Sequence, residues 1–198
     1  MEIFYHGTCR LFQEFSLSFL GQGEGKSQFG QGINVTSSYA TAALYASKAG
    51  KANGVDDCYV YTVEIPSMTD DNHVFSCSPV HEAIIQRTEQ VLGERIPDEV
   101  KEAGKLFRKY LGNLLTNQRG TVKKMMGKAD ATAENAASKF LDEIGVDFLV
   151  WPQAQRKPNG DTNRAVLNER KIKILKIEQV SVDEKNKLIP GSEREVTL

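Results

Sequence analysis

The chain predicts an α+β domain, and three observations carry that expectation. Strand-like segments stand at both ends, Met1 to Tyr5 at the start and Phe148 to Val180 at the finish. Between them, residues 79–92, 98–116 and 130–143 repeat their apolar positions at helical spacing. The two kinds of segment are segregated along the chain, which argues for an α+β domain with a helical insertion at about 67–143 rather than for alternating βαβ units.

Met1 to Tyr5 reads as a short strand, followed by a loop anchored by Leu11, Phe12, Phe15, Leu17, Phe19 and Leu20. Gly21, Gly23 and Gly25 then loosen the backbone. Ile33 to Val35 is a second short strand. Thr36, Ser37 or Ser38 can cap the helix that follows, because a side-chain oxygen satisfies an otherwise free amide at its start. That helix is expected from about Ser38 to Lys48, stopping near Gly50. Tyr59 to Ile65 alternates cleanly and ends at Pro66, the pattern of a central strand. In the middle block, Val80, Ile84, Ile85 and Val91 mark one helical face, Leu106, Tyr110, Leu114 and Leu115 a second. Gly93, Pro97, Gly120 and Gly127 punctuate the block. Phe148 to Trp151 is a strand stopped by Pro152, and Pro158-Asn159-Gly160-Asp161 is a turn. Arg164 to Leu167 and Lys171 to Val180 are strands. Residues 1–182 are thus expected to form one domain, with a flexible tail at 183–198.

The chain has 198 residues, is 40% hydrophobic and carries a net charge of -1, so no global field draws it to nucleic acid. Three cysteines at no metal-binding spacing read as free thiols in a reducing compartment. His73 and His81 flank Cys77 at equal intervals, but the run contains Pro79 and has no fourth ligand nearby, so no metal is expected. No apolar run approaches the roughly 20 residues that span a bilayer. A cytoplasmic protein without membrane contact is the expectation. Residues 101–128 are locally basic, either as a solvated helical face or as a platform for a phosphate-rich partner. Arg156, Lys157 and Arg164 form a second basic cluster.

The residues that suggest chemistry stand mostly in the first forty-six. His6-Gly7-Thr8 follows the first strand. Phe29-Gly30-Gln31-Gly32-Ile33 comes about twenty residues later, then an alanine-rich helix carrying Tyr45. A histidine, a glycine-flanked loop and a tyrosine in this order can clamp a flat aromatic ligand. His6-Gly7-Thr8 resembles the first motif of the ADP-ribosyltransferases of the diphtheria-toxin and poly(ADP-ribose) polymerase branch. Phe29 to Ile33, continuing through Ala42 and Tyr45, resembles their second. Asn163 to Asn168, with Ile172 and Ile174, resembles the third.

The resemblance implies a split pair of small antiparallel sheets around an NAD cleft. His6 would hold the adenosine-side ribose, the Gly7 backbone would pair with the nicotinamide carboxamide, and Thr8, Gly32 and Asn34 would lie close by. Tyr45 would stack on the nicotinamide. The activity implied is mono-ADP-ribosyl transfer, a glycosyltransferase reaction. NAD would be the substrate, and a protein or nucleic acid (RNA or DNA) would be the acceptor. A stand-alone transferase of this size suits a microbial toxin or effector, with an inhibitory antitoxin or immunity protein as partner.

The chain departs from the family pattern twice. Asn34 stands where a tyrosine is usual, and Asn163 where the catalytic glutamate opens the last strand. An asparagine can hydrogen-bond a ribose hydroxyl but cannot act as a base. Asp161 from the neighbouring turn or Glu169 from the far end of the strand can replace the acid, or the acceptor needs none. Two other functions stay open. One is a binding module of this fold that has lost turnover, and the other is an NAD-dependent RNA 2′-phosphotransferase, which would use Arg164 and Arg10. Arg164 can serve a phosphate or an internal salt bridge.

Overall fold

The computed structural model describes residues 1–19, 31–152 and 162–197. Its strands form one eight-stranded mixed sheet. The strands are β1 (Glu2–Thr8), β2 (Ile33–Thr36), β3 (Tyr59–Ile65), β4 (His73–Phe75), β5 (Phe148–Pro152), β6 (Thr162–Val166), β7 (Lys173–Gln179) and β8 (Arg194–Glu195). Their order across the sheet is β4-β5-β6-β2-β1-β3-β7-β8. Only β4 and β5 run parallel; the other neighbours are antiparallel. The fold is therefore α+β, as the segregation of the sequence predicts.

The joints in the sheet are unequal. β1 pairs with β3 at every position from Glu2↔Ile65 to Thr8↔Tyr59. Its pairing with β2 is a single position, Tyr5↔Thr36. All eight strands nevertheless belong to one mixed sheet, where the resemblance implies a pair of small antiparallel sheets.

Helix α1 (Tyr39–Asn53) lies over β1 and β3. Ser38 caps it by accepting the Thr41 amide at 3.3 Å. The helix runs past the expected stop at Gly50 to Gly54, whose φ of 67° ends it in the left-handed conformation. Gly50 does not stop the helix because it is an interior packing site: a Cβ there would stand 2.5 Å from the Val55 carbonyl. Ala42, Ala43 and Ala46 are fully buried with Cys58, Val60 and Val180.

The block expected at 67–143 contains more than helices. It includes β4, which no periodicity announced because it is three residues long, and five helices: α2 (Glu82–Leu92), α3 (Asp98–Lys101), α4 (Gly104–Leu115), α5 (Val122–Met125) and α6 (Ala131–Glu143). The single helix expected at 98–116 is broken into α3 and α4. Their apolar faces form one core with Leu149, Ala165 and Leu167 of the sheet side. Arg108 of α4 and Glu134 of α6 make an ion pair inside it, with side chains 3% and 6% exposed. An unpaired charge there would be costly, so the two helices are held in register by the pair.

The opposite face of the sheet buries Phe4, Val35, Tyr61, Val63, Phe148, Val150 and Val166, with Phe15 packed on it from the segment after β1. Residues from 183 onward, expected to be a flexible tail, fold back: Val182 bridges Leu188 and β8 pairs with β7. No described helix is long and apolar enough to cross a membrane.

Candidate functional site

The β1–β2 ladder stops at Tyr5↔Thr36, and His6, Gly7 and Asn34 lie where it would have continued. Had the ladder continued beyond Tyr5↔Thr36, His6 would oppose Val35 and Gly7 would oppose Asn34. Instead the His6 ring enters the gap, and its Nδ1 lies 2.7 Å from the Asn34 carbonyl oxygen. A carbonyl only accepts, so Nδ1 carries the hydrogen and donates. In the neutral ring Nε2 is then an acceptor. A side chain has taken an oxygen that a continuous sheet would have given to a backbone amide.

His6 is walled by aromatic rings. Phe15 meets it edge-on at 5.1 Å, with Phe12 at 6.1 Å and Tyr61 at 6.3 Å. Burial among these rings pushes the His6 pKa below its ordinary value, against the opposing pull of the Asn34 carbonyl. The imidazole is therefore neutral at physiological pH.

Gly7 faces the other side, toward α1. A Cβ on it would stand 1.8 Å from the Ala42 carbonyl oxygen and 3.0 Å from the Ala46 nitrogen. The helix backbone rests directly on the strand, which only glycine permits. Strand β1 is paired on its β3 side throughout, but from His6 to Thr8 no described strand lies beside it on the β2 side. Successive residues direct their amide and carbonyl to alternate edges, so this stretch presents backbone donors and acceptors to the gap.

Tyr45 stands one helical turn beyond Ala42 on α1 and is 42% exposed, a large aromatic left uncovered. Tyr39 at the start of the same helix is internal: its hydroxyl donates to Glu178 Oε2 at 3.1 Å and its ring meets Tyr5 edge-on. Thr8 Oγ1 accepts the Arg10 amide at 3.2 Å and so shapes the exit from β1. Gly32 sits where a Cβ would be 2.8 Å from the Val166 carbonyl and 2.9 Å from the Ala165 Cβ, which lets β2 start against β6. Asn34 contributes its carbonyl to His6, while the residue itself is exposed.

Asn163 lies opposite both Thr36 and Trp151 near the start of β6. It is 3% exposed, and its Oδ1 has no hydrogen-bond partner among the described residues. Alternation places it on the α1 face with Thr36 and Tyr5, two strands away from β1, whereas His6 is on the other face. The predicted residues therefore divide: His6, Gly7 and Asn34 border the gap, Tyr45 stands exposed on α1, and Asn163 lies behind β2. Asp161, Phe29, Gly30, Arg156 and Lys157 lie outside the described residues. Glu169 is carried beyond the far end of β6 into a 3-10 turn (Glu169–Lys171). There it lines a cavity of 340 Å³ with Gln13, Glu14, Phe15 and Arg170.

Arg164 is resolved as an internal anchor. It is 5% exposed, its Nη2 meets Glu2 Oε2 at 2.8 Å, and its guanidinium lies 4.2 Å over Phe4 and 5.2 Å from Phe148. Both faces of β6 are core, so the alternation that turns Arg164 away from Ala165 still leaves it inside. Part of the basic stretch is likewise paired: Lys101 with Asp98 and Glu89, Arg108 with Glu134 and Arg119 with Glu94. His73 Nδ1 is bound to the Thr69 carbonyl and His81 caps α2, so both histidines have local structural work. Among the described residues no set of His, Cys, Asp and Glu is gathered for a metal.

Two contributors were not singled out in the sequence. Tyr61 is fully buried, and its hydroxyl accepts the Phe12 amide at 2.7 Å and donates to the Phe12 carbonyl at 3.1 Å. A buried tyrosine needs such a partner, which was the available signal. Ser138 of α6 accepts the Gln31 amide at 3.0 Å, and Gln31 Nε2 reaches the Ala131 carbonyl at 3.0 Å. The helical block thereby holds Gln31 at the entry to β2, a contact across more than a hundred residues that no local pattern announces. A second cavity, of 560 Å³, lies under the end of α1 between Lys51, Cys58 and Arg194, and none of the predicted site residues lines it.

Comparison with protein-family models, with curated proteins and with solved structures gave no match to this chain.

Proposed function

We propose that the chain is an NAD-dependent mono-ADP-ribosyltransferase and that NAD binds in the gap between β1 and β2. The observation that carries this is the His6 contact with the Asn34 carbonyl beside a stretch of β1 that no described strand pairs on that side. It fixes a neutral imidazole with Nε2 left to accept a ribose hydroxyl. The Gly7 backbone, unpaired by any described strand on the β2 side, suits a carboxamide, which has both a donor and an acceptor. Tyr45 offers an exposed ring for the nicotinamide.

The reaction breaks the bond between the ribose C1 and the nicotinamide nitrogen, and the electron pair leaves with neutral nicotinamide. Positive charge develops on the ribose and is stabilised by oxygens placed around it. The acceptor nucleophile forms the new bond to C1, and its proton passes to solvent. The position where the resemblance expects a glutamate holds Asn163, which carries no charge and lies behind β2, so the acceptor is one that reacts with little help from a base. This argues for single transfers rather than polymer growth. A toxin or effector acting on a protein or a nucleic acid fits that chemistry.

The test is incubation of the protein with labelled NAD and a cell extract. Nicotinamide should be released and label should enter a macromolecule, sensitive either to nuclease or to protease. His6→Ala should abolish both. No nicotinamide release and no transferred label would sink the enzyme reading. The neutral amide of Asn163 favours one second reading, a module that binds NAD or ADP-ribose without turnover; binding by calorimetry without release identifies it.

A further inference from the structure

His6 is held from two sides, and only one of them belongs to the gap. Asn34 supplies the hydrogen bond. The other side is a three-ring wall of Phe12, Phe15 and Tyr61. Phe12 and Phe15 come from the described residues after β1, 9–19, which hold no strand or α-helix. Phe15 is packed in the core, and the backbone at Phe12 is tied down by one atom. The Tyr61 hydroxyl bonds both backbone groups of Phe12, while the Tyr61 ring stacks on the Phe12 ring at 4.4 Å and 13°. Phe12 in turn meets Phe15 edge-on at 4.9 Å, and Phe15 meets His6 at 5.1 Å. Tyr61 is opposite His6 in the β1–β3 ladder, so clasp and ring share one cross-strand pair.

We propose that Tyr61 is a positioning residue for His6: its hydroxyl pins the 12–15 segment as a wall that keeps the imidazole turned toward Asn34, with Nε2 presented to the ligand. The proposal rests on the reading of His6 as the ribose-holding residue. Its physical content is separate from catalysis. A ring with one face walled and one nitrogen bound has a single orientation and a single tautomer. With the wall loosened, the same ring is solvated, rotates and samples both tautomers.

The perturbation is Tyr61→Phe, which keeps the ring, its stacking and the core volume and removes only the hydroxyl. Two neutral hydrogen bonds to a loop are lost, so the KM for NAD is expected to rise about ten-fold with kcat within about two-fold, the pattern of lost ground-state positioning. Tyr59→Phe, two residues along the same strand and outside the ring cluster, is the control and should leave both constants unchanged. The second readout needs no activity. The ¹H–¹⁵N correlations of the imidazole rings should show His6 as one Nδ1–H tautomer in the parent protein and as a mixture in Tyr61→Phe, with His73 and His81 unmoved. An unchanged His6 tautomer in Tyr61→Phe overturns the proposal, as does an unchanged KM in a protein that turns over NAD. If the parent protein neither binds nor cleaves NAD while the His6 signal still splits in Tyr61→Phe, the clasp stands as a device that orients His6 and the NAD reading is what fails.

Discussion

Gly7→Ala tests the join between fold and site most directly. The added Cβ would stand 1.8 Å from the Ala42 carbonyl oxygen and 2.6 Å from its carbon. Ordinary contact begins near 3.4 Å, so α1 must withdraw by about 1.6 Å. The obstructing atoms are helix backbone, not the far end of a side chain, and Ala42, Ala43 and Ala46 are already fully buried around them. Overpacking of this kind costs about 3 kcal/mol, the upper part of the usual range, because no rotamer change relieves it. For a chain of this size that corresponds to a fall in Tm of about 6–12 °C. Thermal unfolding followed by circular dichroism reads it. Ala42→Gly should not rescue the variant, since it leaves the carbonyl in place. A Gly7→Ala protein melting within about 2 °C of the parent would refute the reasoning, because it would mean that α1 does not rest on β1.

Other consequences can be measured alongside it. Asn163→Ala removes an amide whose oxygen has no partner among the described residues, so stability should fall by only about 1–2 kcal/mol; because Asn163 lies on the other face from His6, nicotinamide release should stay within about two-fold, and a ten-fold loss would bring Asn163 into the site. Burial opposes ionisation of Glu2, but the Arg164 hydrogen bond, the Met68 amide and the Arg164 charge together hold its carboxyl below 4.5. The stability this adds is present above 4.5 and is lost as the pH falls through the lowered native value. The Tm difference between the parent and Glu2→Gln should therefore shrink on acidification, and a constant difference would count against the ion pair. His6 is the analogous case for a base. The unfolded chain takes up a proton near 6.5 and the native ring only at lower pH, so stability is complete above 6.5 and declines below it. His6→Gln should flatten that decline in denaturant titrations. Ser138→Ala should lower stability by about 1 kcal/mol through the lost Gln31 contact, and a larger change in the KM for NAD than in Tm would place the helical block among the elements that shape the site.

The legible parts of this molecule were those governed by short-range rules. The alternation of Tyr59 to Ile65 gave β3, and Ser38 before an alanine-rich run gave the start of α1. His6-Gly7-Thr8 was visible as a motif, although the strand was expected to end at Tyr5 and runs through Thr8. A three-residue strand such as β4 has too few positions for a period, and parallel pairing with β5 supplies its order instead. Arg164 illustrates a different limit. Alternation correctly opposed it to Ala165, but whether that opposite face is solvent or core depends on Glu2, Phe4 and Phe148, from distant parts of the chain.

By itself the sequence determined the segregated α+β pattern, the caps and periods of the longer helices, and the set of candidate residues, because these depend on neighbours within one or two turns. The tertiary structure decided which of them meet. It ended the β1–β2 ladder after one pair, turned His6 into the resulting gap, pressed α1 onto Gly7 and left Asn163 behind β2. Those outcomes arise from packing between segments tens to more than a hundred residues apart. Whether a backbone oxygen meets an amide or an imidazole is settled only when those segments come together.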